Sequence, residues 1–221
     1  MWDTKSKLKL NPEQHKLLEK TYKSFVRSGA NLNEDEKRRL RELNSELAVL
    51  TLKFGQNILA ETNNNEYIAN TKEELSGLSD DLISAAAETA KAKGKPGKWM
   101  ITLSNSSVMP FLQYSSNRKL RKEIWEAYKN RCNNGNEFDN NTYAVRIAAM
   151  RAEKAKLLGY PTFAHYVLEE SMAKSPEKVL TFLNQLWEPA IAKAKIEEAE
   201  IKQMMVAEGI NDDVQPYDWR Y

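Results

Sequence analysis

The 221-residue sequence has one cysteine, Cys132. No disulfide can form within the chain, a usage that fits a reducing compartment. Glycine (8) and proline (7) are scarce, which argues against sandwiches and barrels, whose many strands need many tight turns. Neither sign of charge is in excess: 33 basic residues face 31 acidic ones, a net of +2. A nucleic-acid binder would carry a clustered basic surplus. The basic run Lys37-Arg38-Arg39-Leu40-Arg41 follows Glu34-Asp35-Glu36, and reads instead as a solvated helix with acids in its first turn. Long apolar runs are also missing. Nothing approaches the ~20 residues of a membrane span, and Met1-Trp2-Asp3-Thr4-Lys5 lacks the apolar core of a signal peptide. Neither nucleic acid nor membrane is therefore expected as a partner.

Lys, Glu, Leu, Ala and Asn dominate what is present, with 41% hydrophobic and 29% charged residues, a globular composition that favours helix. Asn11-Pro12-Glu13 opens the first periodic segment with a cap followed by proline, and Gly29 closes it. Asn33 with Glu36 has capping-box spacing. Leu40, Leu43, Leu47, Leu50 and Phe54 then recur at steps of three and four, giving a long helix to about Thr62. That seam packs either on helices of the same chain or in a free coiled-coil dimer. Residues 66–70 and 98–104 have strand composition and are expected to pair as an antiparallel ribbon. Such a ribbon is marginal alone and must lie on helices.

Further helices are expected from Ser79 or Asp80 to about Lys93, over 105–114, over 117–132 and from Asn141 to Gly159. A short one should run from Pro161-Thr162 through Leu168, and a long one from Ser175-Pro176 to near Gly209, kinked at Pro189. The expected fold class is mainly α: one multi-helix lobe over residues 1–221 with a small β-ribbon, or a subdivision into 1–135 and 136–221.

Candidate chemistry is sparse. His165 and Glu169 lie four apart on a probable helix and share a face. They are either half of a metal site or a histidine with a helical ion-pair partner, and a zinc site needs three or four ligands. His15 stands far from both. Cys132 is a nucleophile only if a base lies near it in space, and otherwise a small apolar side chain. The serines lack a G-x-S-x-G context. Met100, Met109, Met150, Met172, Met204 and Met205 read as core filler. Tyr114, Tyr128 and Tyr143 read as core residues with hydroxyls reaching the surface. No residue is assigned as catalytic, cofactor-binding or metal-ligating.

Four stretches carry a resemblance: "VRSGANLNEDEKRRLRELNSELAVLTLKFGQNILAET" (26–62), "SSVMPFLQYSSNRKLRKEIWEAYKNRCNNGNEFDN" (106–140), "MRAEKAKLLGYPTFAHYVLEESMAKSPEKVLTFLNQLW" (150–187) and the terminal "YDWRY". Together they resemble the thimet oligopeptidase family of zinc metallopeptidases, most of all its bacterial peptidyl-dipeptidases. Ser106 departs from it, since a proline is expected there. The resemblance implies a helical, two-lobed, cytoplasmic or periplasmic enzyme that uses zinc to hydrolyse short peptides in a narrow channel and releases C-terminal dipeptides.

Members of that family hold zinc with H-E-x-x-H on a helix. No H-E-x-x-H occurs in these 221 residues. The resemblance therefore implies an internal piece, a non-catalytic lobe whose partner is the missing catalytic half of the same chain. The alternative is a free-standing helical binding or scaffold protein. Under the first reading Tyr217, Trp219 and Tyr221 should end in space, with a mobile C-terminal tail or some self-association.

Overall fold

A computed structural model describes residues 2–221 of the chain. Its helices are α1 Pro12–Arg27, α2 Glu34–Asn64, α3 Asp80–Ala92, α4 Asn105–Tyr114, α5 Arg118–Lys129, α6 Asn141–Leu157, α7 Phe163–Leu168 and α8 Pro176–Ala207. The strands are β1 Glu66–Ala69 and β2 Trp99–Thr102. The fold is thus mainly α with one two-stranded antiparallel ribbon, as the sequence predicts. Glu66 lies opposite Thr102 and Ala69 opposite Trp99.

Local chemistry sets the helix starts. The Asn11 side chain accepts from the Gln14 N–H at 2.8 Å, and Gln14 returns a bond to the Asn11 N–H at 3.0 Å. Asn33 and Glu36 form the same reciprocal box at 2.9 and 3.0 Å. Two orphan donors of each first turn are thereby satisfied. Gly29 adopts φ +94° after α1, and the Ala30 N–H reaches back to the Phe25 carbonyl at 3.0 Å, the wrap-around that ends helices at a left-handed residue. Pro189 lies inside α8 without ending it.

The chain forms two compact units. One comprises the chain up to Leu52 together with Tyr143–Leu180. Its buried apolar side chains include Leu40 and Leu43 of α2 and Ile147, Met150 and Ala155 of α6. The first two seam positions are therefore buried within the chain. Polar pairs line the same two helices: Arg39 with Glu153, Lys154 with Asn44, and Arg146 with Glu46. From Arg39–Glu153 to Glu46–Arg146 the partner number falls along α6 as it rises along α2, so the helices run antiparallel.

The other unit comprises Lys53–Thr142 and Thr181–Tyr221. Its core gathers Ala69 and Leu75, Ala86 of α3, Ile101 and Leu103, then Val108, Phe111 and Leu112 of α4 and Ile124 of α5. The ribbon is covered by helices, as a marginal two-stranded sheet requires. Gly77 makes a close approach possible. At φ +89°, a Cβ there would lie 2.2 Å from the Tyr114 carbonyl oxygen, so only glycine fits.

Candidate functional site

The most elaborate polar cluster joins α5 to the C-terminal segment. Arg118 and Arg121 are three apart and share a helix face. Asp218 accepts from Arg118 Nε and Nη2, both at 3.0 Å, and from Arg121 Nη2 at 3.2 Å. The Gln215 N–H adds a fourth bond at 3.0 Å. Arg121 Nη1 donates to the Ser115 carbonyl at 2.6 Å, and its guanidinium carbon lies 3.9 Å from the centre of the Tyr221 ring. The Arg121 and Asp218 side chains are each 2% exposed. Burial alone would raise the Asp218 carboxyl, but the arginine and backbone N–H bonds outweigh it and hold the group below its ordinary value. The same carboxylate raises the pKa of Arg118. Paired charges of both signs thereby tolerate burial.

This cluster corrects one expectation. Tyr217 and Asp218 do not end in space: both are buried, and Tyr217 meets Trp125 edge-on at 6.2 Å. Trp219 and Tyr221 remain 43% and 47% exposed. Beside the clamp lies a cavity of about 310 Å³, lined by Ile201, Met204, Met205 and Glu208 of α8, by Ile210 and by Arg121, Asp218, Trp219, Arg220 and Tyr221. Its wall combines apolar side chains with the charged Arg121, Glu208, Asp218 and Arg220, a lining that suits an apolar group.

A second cluster surrounds Glu61, which is buried near the end of α2. Its carboxylate accepts from the Cys132 N–H, from Asn134 Nδ2 at 2.6 Å and from Asn136 Nδ2 at 3.1 Å. Burial pushes this carboxyl up, yet the N–H donors prevail and its pKa is lowered. The same carboxylate, after burial itself, pushes the Cys132 thiol up to about 11. Cys132 has φ +59°, a conformation uncommon outside glycine. At neutral pH the thiol is protonated and inert. Glu61 thus staples the 132–140 loop to α2, and α5 ends at Lys129 rather than at Cys132.

In the first unit, Arg27 Nη1 donates to Glu169 at 2.5 Å and Nη2 to the Tyr166 carbonyl at 2.8 Å. Tyr160 Oη donates to the same Glu169 oxygen at 2.6 Å. The Tyr160 hydroxyl and then Arg27 hold the Glu169 carboxyl below its ordinary value against burial. The "GYPTFAHYVLEE" stretch therefore folds around the end of α1. Sequence spacing paired His165 with Glu169, but Arg27 and Tyr160 occupy the Glu169 carboxylate. His165 instead places Nε2 3.2 Å from Glu177 and Nδ1 2.8 Å from Thr162 Oγ1. His15 lines a separate surface groove with Trp2, Lys5 and Glu19.

Among the described residues, no three of His, Cys, Asp and Glu converge as metal ligands would. The described residues do not fit a zinc centre.

Fold and clusters together define a mainly helical protein with a buried arginine–carboxylate clamp. Residues 111–221 match the model of Peptidase family M3, and the chain belongs to that family. It is 32% identical over all 221 residues to a dipeptidyl carboxypeptidase of Escherichia coli (strain K12), covering 32% of that protein. It is equally similar, with the same coverage, to a dipeptidyl carboxypeptidase of Salmonella typhimurium. It is 33% identical over 209 residues to an oligopeptidase A of Haemophilus influenzae, covering 93% of this chain and 30% of that protein. The chain thus spans about a third of the length of these relatives. The Arg118–Arg121–Asp218 clamp and its cavity fall inside the family match.

Proposed function

We propose that residues 1–221 contribute a non-catalytic helical lobe to a zinc metallopeptidase that hydrolyses short peptides and releases C-terminal dipeptides. The observation that carries this reading is the likeness of the whole chain, at 32% identity, to a protein called a dipeptidyl carboxypeptidase. Releasing a dipeptide means hydrolysing the peptide bond two residues from a carboxyl end. Zinc held by residues outside these 221 would supply the Lewis acidity for that hydrolysis. The sequence contains no H-E-x-x-H, so the metal-binding residues are assigned to a catalytic half outside this lobe.

The partners under this reading are short peptides and that catalytic half. What these residues supply is wall: a clamp that fixes the Tyr217–Tyr221 segment and a groove beside it with room for a side chain. A cytoplasmic setting is part of the proposal. It agrees with the single Cys132, and one relative, from Arabidopsis thaliana, is called a probable cytosolic oligopeptidase A. No helix among the described residues is long and apolar enough to cross a membrane.

Reading the coding sequence beyond the Tyr221 codon tests the assignment. An in-frame H-E-x-x-H supports it. A stop codon with no such motif in the product overturns it, and leaves the free-standing scaffold.

A further inference from the structure

We infer that the cavity beside the clamp holds one acylated apolar residue of a peptide, whose carbonyl accepts from Arg121 Nε–H. The observation behind this is an orphan donor. Among the described residues, Arg121 Nε is the buried side-chain polar atom without a hydrogen-bond partner, in a residue 1% exposed. Buried polar atoms are paired in the great majority of cases, and an exception calls for an explanation. The rest of the guanidinium is engaged: Nη1 with the Ser115 carbonyl and Nη2 with Asp218. Asp218 already takes four N–H bonds, and the Tyr221 ring lies against the guanidinium. The cavity is the open space that Arg121 borders, and so the side from which an acceptor reaches Nε–H.

The walls define what carries that acceptor. Ile201, Met204, Met205, Ile210 and Trp219 line the space with side chains that accept no strong hydrogen bond. The charges around it balance, Arg121 and Arg220 against Glu208 and Asp218, which favours a neutral ligand over an ion. Arg220 is a donor and Glu208 an acceptor, and both are exposed at the edge. A peptide unit offers the matching C=O and N–H together, whereas a ketone or ester has no N–H for Glu208.

The volume of about 310 Å³ lies at the small end of ligand sites, with room for one residue. Every lining residue belongs to the same compact unit. The inference concerns the 221-residue chain itself and does not rest on the peptidase reading: a stop codon after Tyr221 would leave this site in place.

Titration of the isotope-labelled chain with N-acetyl-leucinamide is the test, read by nuclear magnetic resonance at the Arg121 Nε–H signal. That signal is assigned by its loss in Arg121→Lys. The expected result is a saturable shift with a Kd on the order of 1 mM, as suits a ligand of about a dozen heavy atoms. Acetamide has the carbonyl without the apolar group, and isoamylamine the apolar group without a carbonyl. Both leave the signal in place. Met204→Trp and Ile201→Trp fill the cavity and each weaken binding about tenfold or more; two sites are used so that a folding defect in one does not decide the question. The inference is overturned if N-acetyl-leucinamide gives no saturable shift, in which case water satisfies the donor. Equal binding of acetamide or isoamylamine overturns it, as does wild-type affinity in both filled variants. In a product extended beyond Tyr221, a signal already displaced and unmoved by the probe overturns it too, by assigning the cavity to the chain itself.

Discussion

Asp218→Ala should release the C-terminal segment, and its size follows from the clamp. The substitution removes a carboxylate that accepts three guanidinium N–H bonds and one backbone N–H bond. It strands the Arg121 charge, whose side chain is 2% exposed. Breaking a buried ion pair by deleting one partner costs roughly 3–5 kcal/mol. Arg118 softens the loss, because it is 19% exposed and keeps Asp212 at 2.5 Å. The low end, about 3 kcal/mol, therefore applies, which is roughly a hundredfold in the local opening equilibrium.

Amide hydrogen exchange reads this directly. The N–H groups of Asp218, Gln215 and Tyr221 all bond within the segment, and their protection factors should fall by about two decades in D218A. The pH dependence follows from the depressed carboxyl of the folded state. Its stabilisation is fully present above the ordinary aspartate value near 3.9 and is lost as pH falls through the lower, folded value. Wild-type protection should therefore hold from about pH 8 to pH 5 and decline only below about pH 4. A change in protection of less than about threefold in D218A, or a wild-type loss between pH 5 and 7, would refute the clamp.

Two glycine substitutions should act in opposite directions. Gly77→Ala drives a Cβ against the Tyr114 carbonyl and the Ser116 N–H at φ +89°, and should cost about 3 kcal/mol or more in a urea melt. Gly55→Ala, inside α2 with nothing within 4 Å of the new methyl, should raise stability by up to about 1 kcal/mol. Equal effects from both would mean that backbone conformation does not distinguish the two sites. Cys132, with its thiol pushed up to about 11, should react with iodoacetamide at pH 7 on the order of a hundredfold more slowly than in the urea-unfolded chain. Labelling at the unfolded rate would contradict the Glu61 staple.

The parts legible in sequence were those decided locally. Asn11 with Gln14 and Asn33 with Glu36 cap their helices through bonds three residues apart, and strand composition plus a turn was enough to pair 66–69 with 99–102. The span 105–114 appears as a helix with the expected limits. What could not be read depends on distant partners. Glu61 holds Cys132 across 71 residues and Arg121 holds Asp218 across 97, separations at which no spacing rule operates. The only local hint was Arg118 and Arg121 on one face of α5. The end of α5 was misplaced because a backbone N–H at Cys132 turns to a carboxylate. His165 was given the wrong partner because Arg27 and Tyr160 take the Glu169 carboxylate, while His165 turns to Thr162 and Glu177. The expectation that Tyr217 ends in space failed for the same reason: the aromatic residue was visible, but not Trp125 and Arg118, which receive it.

Purifying the 221-residue chain, dialysing it against zinc and assaying it with short fluorogenic peptides addresses the central claim most directly. The account predicts no stoichiometric zinc by elemental analysis and no hydrolysis. One equivalent of tightly held zinc, with dipeptides cleaved from carboxyl ends, would contradict it.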